Sequence, residues 1–288
     1  ESTGYPTILV GEQDGSSITY GVKTVLVSAY TGSWSVALAF DPVNTNQILA
    51  QYYDATATDI EAVSATITGS GASAAFTLGT AVQIYNGAPT ALGPQFVAFD
   101  PSASATALIL YQYSGPVSKL VAVTMVGNVI TKGTAQDLGT EINEKSYNSI
   151  AFNSAGTFAL AWISRTPNWD ELRATFGSIS GTTISVSSTT TGTVIDSSND
   201  RDNALCHFDP HNDNKLAFTY AISSVAKAQI VTLAGAGAST TVTAGTVTSY
   251  FSDQVAIGNA CLFDPDTSGA IVFVYQRDDV TAPNDIEA

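Results

Sequence analysis

Five copies of one short phrase run through the chain, and this periodicity constrains its fold more than any other feature. The copies read Ala-Leu-Ala-Phe-Asp-Pro at 37–42, Phe-Val-Ala-Phe-Asp-Pro at 96–101, Ser-Ile-Ala-Phe-Asn-Ser at 149–154, Leu-Cys-His-Phe-Asp-Pro at 205–210 and Ala-Cys-Leu-Phe-Asp-Pro at 260–265. Their anchoring aromatics, Phe40, Phe99, Phe152, Phe208 and Phe263, stand 59, 53, 56 and 55 residues apart. A second aromatic follows each anchor: Tyr52, Tyr111, Trp162, Tyr220 and Tyr275. The offset is 12 in four copies and 10 in the third, where the intervening turn is shorter. A repeat kept at both scales is one supersecondary unit that buries its apolar faces against its neighbours.

Side chains alternate across a strand, so Leu38, Val97, Ile150, Cys206 and Cys261, two residues before the anchors, share a face with them. The other face holds Ala39, Ala98, Ala151, His207 and Leu262, mostly small. Asp-Pro then ends the strand, because Pro presets the first turn position and the Asp carboxylate accepts from the amides that follow. Apolar bursts at 48–53, 108–113 and 271–275 read as second strands. Pairs at 63–67 with 76–84, 120–125 with 129–138, 172–179 with 183–195 and 228–233 with 241–250 read as third and fourth strands, turning through Gly, Ser or Asn.

Four antiparallel strands repeated at this spacing are the pattern of β-propeller blades. The chain opens with a hairpin of the third-and-fourth type at 7–12 and 17–27, and it closes with a first-and-second pair at 262 and 271–275. Joined, they make a fifth blade and remove two open sheet edges. The predicted fold is an all-β, five-bladed β-propeller of four-stranded antiparallel blades, a single domain over 1–288. The N-terminal hairpin plus the C-terminal strand pair close it, and the blade-anchoring strands lie near 36–41, 95–100, 148–153, 204–209 and 259–264.

Composition narrows the partners. Charged residues are only 12% of the chain, and 10 Lys plus Arg against 25 Asp plus Glu leave a net charge of −15. Such a surface repels phosphate backbones and anionic bilayers, so neither nucleic acid nor membrane insertion is predicted. No apolar run reaches the roughly 18 residues of a spanning helix. The Thr/Ser-rich, Lys-poor polar stretches suit an extracellular or virion-surface location. A start at Glu1, with no basic leader before an apolar stretch, reads as a processed chain or a segment of a longer one. Cys206 and Cys261 fill the slot of Leu38, Val97 and Ile150, so they read as small buried hydrophobes with free thiols.

The Ala-Phe-Asp-Pro phrase, the turn, the apolar strand ending in Tyr and the Gly-Thr-Ala-Val at 79–82 belong together. Gly133-Thr134-Ala135, Gly192-Thr193-Val194 and Gly245-Thr246-Val247 repeat the last element. This combination resembles the repeats of β-propeller tail-fibre and other virion surface proteins of bacteriophages, marine and environmental phages above all. The resemblance spans essentially the whole chain, and the third copy departs from it with Asn153-Ser154 in place of Asp-Pro. It implies a propeller mounted on a virion or fibre, with other virion or fibre subunits and a host-surface glycan or protein as partners. It carries over no site residue.

Residues that could support chemistry are few. Glycosidase propellers place carboxylates where the inner strands begin, but those positions hold Val36, Gln95, Asn148, Ala204 and Asn259 here. The recurring Asp41, Asp100, Asp209 and Asp264, with Asn153, read as turn caps, since catalysis needs different groups in one place. His207 reads as a core or tunnel residue and His211 as solvated, and neither forms a triad. Cys206 and His207 point to opposite faces and cannot share a zinc ion. Asp209/Asp213 and Asp264/Asp266 lack the loop pattern of a calcium site. The chain is therefore predicted to be non-enzymatic, with no cofactor and no metal. A ligand is expected on the face that carries the longer loops, at Tyr30, Trp34, Tyr147, Arg165, Asn168, Trp169, Asn199, Arg201 and Asn203. Aromatic faces there would stack on a sugar, and amide and guanidinium groups would meet its hydroxyls. Two other functions stay open: a purely architectural packing module, and a secreted polysaccharide-acting glycosidase built on a pair such as Asp196 with Asp253.

Overall fold

The computed structural model describes residues 5–28, 36–87, 95–114, 117–138, 149–164, 171–188, 192–197, 201–222, 225–251, 255–279 and 282–287. They are β-strands joined by turns, with two short 3-10 turns at Gly71–Ser73 and Gly237–Ser239. The N-terminal segment folds as a split hairpin: β1 (Thr7–Ile8) pairs with β4 (Thr24–Val25), and β2 (Gly11–Asp14) with β3 (Ser17–Tyr20). The first full unit follows as β5 (Ala37–Phe40), β6 (Gln47–Asp54), β7 (Asp59–Thr68), β8 (Ala75–Leu78) and β9 (Val82–Asn86). The second comprises β10 (Phe96–Phe99), β11 (Thr106–Ser114), β12 (Val117–Val126), β13 (Val129–Lys132) and β14 (Gln136–Asp137). The third comprises β15 (Ser149–Phe152), β16 (Thr157–Ser164), β17 (Glu171–Ser180), β18 (Thr183–Val186) and β19 (Thr193–Asp196). The fourth has β20 (Arg201–Asp209), β21 (Asn212–Ile222), β22 (Val225–Ala234) and β23 (Thr241–Phe251), and the last has β24 (Val255–Phe263), β25 (Ile271–Asp279) and β26 (Ala282–Glu287). Each sheet is antiparallel and runs in chain order.

The second strands of the first four units are covered on both sides along their apolar stretches, which is why they read as continuous apolar bursts. In β6 and β16 every residue is buried. Leu49, Ile60 and Ala62 of the first unit meet Phe99, Ile109 and Val121 of the second. Leu108, Leu110 and Leu120 of the second meet Phe158, Leu160 and Trp162 of the third. Ala161, Leu172 and Phe176 of the third meet Cys206, Phe208 and Phe218 of the fourth, and Ala217 of the fourth meets Cys261 and Phe263 of the last. Each large side chain fully buried in these seams contributes about 1.5–3 kcal/mol. The inner strands succeed one another in space, β5 on β10, β10 on β15, β15 on β20 and β20 on β24.

The fourth strand is broken in the first three units, and glycine explains the break in two of them. A Cβ on Gly79 would stand 2.9 Å from the carbonyl carbon of Asn128, and one on Gly133 would stand 3.0 Å from that of Thr182. The hairpin turn of each following unit therefore presses its backbone into the gap between β8 and β9, or between β13 and β14. Asn128 completes the clasp: its Oδ1 accepts from Thr66 Oγ1 at 2.7 Å, and its Nδ2 donates to Thr77 O at 3.1 Å. Gly21 meets Ala74 in the same way, with the carbonyl carbon 2.9 Å from an added Cβ, and Val22 N donates to Ala74 O at 2.7 Å. Gly21 N, Gly79 N and Gly133 N each donate to the third strand of their own unit, at Val10 O, Ser64 O and Ala122 O. The N-terminal hairpin is thus built as a third-and-fourth strand pair, with Ile8 and Leu26 packed on Ile48, Tyr52 and Val63 of the first unit.

Three further features differ from the sequence reading. The C-terminal pair carries a third strand: β26 pairs with β25 from Tyr275↔Glu287 to Asp279↔Ala282. Among the described residues no ladder joins the N-terminal hairpin to β24, β25 or β26. A local hairpin closes a far shorter loop than pairing across the whole chain does. The loop expected up to residue 203 is also shorter, because β20 begins at Arg201, paired with Ile222.

Candidate functional site

The two ends of the units have different chemistry. At the end where first strands turn into second strands, the repeated polar residues are engaged in structure. Asp41 is buried, and its Oδ1 accepts from Val43 N at 2.8 Å and Asn44 N at 3.1 Å. Its Oδ2 accepts from Asn44 Nδ2 at 2.7 Å and reaches the next unit, accepting from Ala105 N at 3.2 Å. Asp100 accepts from Ser102 N at 2.8 Å and Ser102 Oγ at 2.7 Å, and Asp209 accepts from His211 N at 2.9 Å. Asn153, without the following Pro, accepts from Thr157 N at 2.8 Å and donates to Asp213 O across the seam at 3.1 Å. The recurring Asp/Asn is a turn cap, and in the first and third units it also ties neighbours together.

A cavity of about 320 Å³ opens at this end, between the inner strands of four units. Phe40, Phe99, Phe152 and Phe208 line it with Pro42, Pro101 and His207. His207 is half-buried and lines this cavity, with Nδ1 3.0 Å from Phe208 O and its ring 6.3 Å from that of Phe263. Exposed His211 lies outside the cavity. Cys206 and Cys261 are buried free thiols. Burial pushes the Cys206 thiol up to about 12, against the opposing hydrogen bond from Ser149, and the Cys261 thiol up to about 11. Among the described residues no group of three or more His, Cys, Asp or Glu could hold a metal ion, and no helix is long and apolar enough to cross a membrane.

At the opposite end β5, β10 and β15 begin and β6, β11 and β16 finish. Tyr30, Trp34, Tyr147, Arg165, Asn168, Trp169 and Asn199 lie outside the described residues. Arg201 and Asn203 fall in the first turn-free stretch of β20, and their side chains lie outside what is described. The strands on either side of these segments place 36, 95, 149 and 201 at one end of the units, together with the ends of β16 and β19.

Near that end stand carboxylates whose tyrosine partners sequence reasoning passed over. Tyr52 Oη donates to Glu61 Oε2 at 2.9 Å, and Tyr220 Oη donates to Asp196 Oδ2 at 2.6 Å. A buried tyrosine hydroxyl needs an acceptor, so the repeated second aromatic was the available signal. Burial raises the Glu61 carboxyl above its ordinary range, as do the nearby charges of Asp54 and Asp59, while the Tyr52 hydrogen bond opposes the shift. The Tyr52 hydroxyl is driven far up by burial and by Glu61. Asp196, half of the carboxylate pair weighed for hydrolysis, is thus bonded to a core tyrosine, and Asp253 lies outside the described residues.

Two amides are unusual. Gln51 alternates with Leu49 and Tyr53, and Gln95 with Val97 and Phe99, so both point into the seam between the first and second units. Both are buried, and neither amide oxygen nor nitrogen has a partner among the described residues. The corresponding positions in other units hold Leu110, Ala161, Thr219 and Val274 for Gln51, which makes the glutamine visible as an exception in the repeat.

No family model matches the chain, and no curated protein matches it. Among solved structures it is similar to Sqt1 of Chaetomium thermophilum, solved bound to the N-terminus of the ribosomal protein L10. The TM-score is 0.44 at 12% identity, over 85% of this chain and 70% of that one.

Proposed function

We propose that the chain is a non-enzymatic structural module of a virion or fibre, a five-bladed propeller whose loop face recognises a host-surface glycan or protein. The observation that carries this reading is the division of labour between the two ends. The polar residues that recur in every unit cap turns and tie seams at one end. The connections that differ in length and sequence from unit to unit leave from the other, where recognition usually lives. An acidic, Thr/Ser-rich chain with few Lys suits a particle surface.

The test is binding of the isolated chain to a glycan array and to host cell surfaces, with Trp34→Ala and Trp169→Ala as probes. Loss of binding by either variant, at an unchanged urea midpoint, supports recognition by this face. Binding that survives both substitutions removes them from the site, and absence of any binding favours architecture alone. One observation speaks for that second reading: the tip of the second unit's hairpin exposes Val126 and Val129, an apolar spot suited to packing on a neighbouring subunit.

A further inference from the structure

The apolar faces at the two ends of the chain match each other. Phe99, Phe208 and Phe263 are 7%, 4% and 6% exposed, because each packs on the unit before it, whereas the equivalent Phe40 is 55% exposed. Leu38 is likewise exposed where Cys206 and Cys261 are buried. At the other end, Leu262 and Val272 of the last unit face outward at 58% and 54%, though Ala39 and Leu49 at the same slots of the first unit pack into a seam. The N-terminal hairpin shows the same imbalance. Its Ile8 and Leu26 are buried against the first unit, while Leu9, Ile18 and Tyr20 on its opposite face are exposed. Their counterparts in the first unit, Val63, Phe76 and Leu78, pack on the element that precedes them.

We infer that the seam closes within one chain by an exchange at the outer edge of β25, in which β26 gives way to the N-terminal hairpin. The inference rests on the five-bladed reading and gives it a register. Ala50 pairs with Val63 and Leu49 with Ser64 in the first unit. The Gly21–Val10 and Gly79–Ser64 bonds align Val10 with Ser64 and Leu9 with Val63. Phe273 therefore pairs with Leu9, and Val272 with Val10. The same alignment sets the hairpin turn at Gly15-Ser16 on Gly245, as the Asn128 turn sits on Gly79. Closure in this register covers Leu38 and Phe40 with Leu262 and Val272, and it places Leu9, Ile18 and Tyr20 on the fourth unit. β26 holds the contested edge through a local hairpin whose ladder shifts register beside Pro283, a residue with no amide hydrogen to donate.

Two double-cysteine variants separate the alternatives. Val10→Cys with Val272→Cys reports closure, and Gln276→Cys with Ile286→Cys reports retention of β26. Under mild oxidation the first pair is expected to link within a single chain, located by peptide mapping, while the second stays reduced. Linkage of the second pair overturns the exchange, with or without linkage of the first. Linkage of the first between chains, seen as covalent dimers, assigns the face to a second copy and overturns closure within one chain. No linkage of either overturns it as well. Amide exchange on the unmodified protein guards against misfolded variants: residues 282–287 are expected to exchange as unpaired backbone and residues 7–12 to be protected, and the reverse contradicts the inference. Glycan binding can fail while the first pair links, so the two proposals fail separately.

Discussion

Replacing the seam glycines with alanine is the sharpest test of how the units interlock. At Gly79 and Gly133 an added Cβ comes closer than 3.0 Å to a backbone carbonyl of the next unit's hairpin turn. The atoms in the way are the carbonyl groups and Cβ atoms of Asn128 and Thr182, none of them the end of a flexible side chain, so relief requires the turns to withdraw and, at Gly79, the clasp made by Asn128 to loosen. Overpacking of this kind costs about 1–3 kcal/mol, and an unyielding backbone puts it near the upper end. The unfolded chain gains stiffness worth about 0.4–1 kcal/mol in the other direction. The net expectation is about 2 kcal/mol for each substitution. The two positions lie in different seams, so the Gly79→Ala/Gly133→Ala double variant is expected to lose about 4 kcal/mol by additivity. The control is Gly127→Ala/Gly181→Ala, at turn positions with φ of +56° and +58° and nothing within 4 Å of the new methyl. Strain there is conformational alone, about 1–2 kcal/mol per site before the same offset. Urea unfolding with an unchanged m-value reads the difference directly. If the seam double variant loses no more than the control, the turns do not clasp the preceding units, and the interlocking described above is wrong.

Other outcomes follow from single groups. Gln51→Leu removes two unpartnered buried amide atoms and is expected to raise stability by about 1 kcal/mol or more; a loss of that size in urea unfolding would mean the amide has a partner. Cys206 and Cys261, with thiols pushed up to about 12 and about 11 by burial, are expected to resist a chromogenic thiol reagent at neutral pH and to react fully once denatured. Rapid labelling of the native protein contradicts that. Glu61 has a folded-state pKa raised above its ordinary 4.5, so its contribution to stability is full below that value and is lost as pH rises through the raised pKa. Glu61→Gln still accepts from Tyr52 but does not titrate. Its stability advantage over the native chain is expected to grow from about pH 4 to about pH 7, and a constant difference across that range refutes the shift.

What the sequence revealed, and what it hid, divide along physical lines. The anchors Phe99, Phe208 and Phe263, the caps Asp41 and Asp100, and the free thiols were readable because a repeat presents each slot several times over, so an exception such as Cys206 is interpreted by its equivalents Leu38 and Val97. The split of the fourth strand at Gly79 and Gly133 was not readable. It depends on where the next unit's turn presses, a contact between residues about 50 apart in sequence that no local propensity reports. β26 escaped notice because 282–287 contains Pro283, Asn284 and Asp285, which are poor strand formers. The site was the least legible part. Loop residues such as Trp34 and Trp169 have no equivalents in other units, so neither repetition nor periodicity says what they touch. Glu61 and Asp196 passed unnoticed as tyrosine acceptors because each pairing depends on structure beyond the local sequence: the β6–β7 register brings Glu61 to Tyr52, and the seam between the third and fourth units brings Asp196 of β19 to Tyr220 of β21.

Recognition by the loop face is the central claim, and one measurement addresses it directly. A cryo-electron-microscopy map of the assembly that carries this chain would locate it and give its orientation. The expected result is a loop face turned outward at an exposed position, with the end that carries the Asp41 and Asp100 turns directed toward the neighbouring subunits. A loop face packed against neighbouring subunits, with Trp34 and Trp169 covered, would contradict recognition and leave the chain an architectural module.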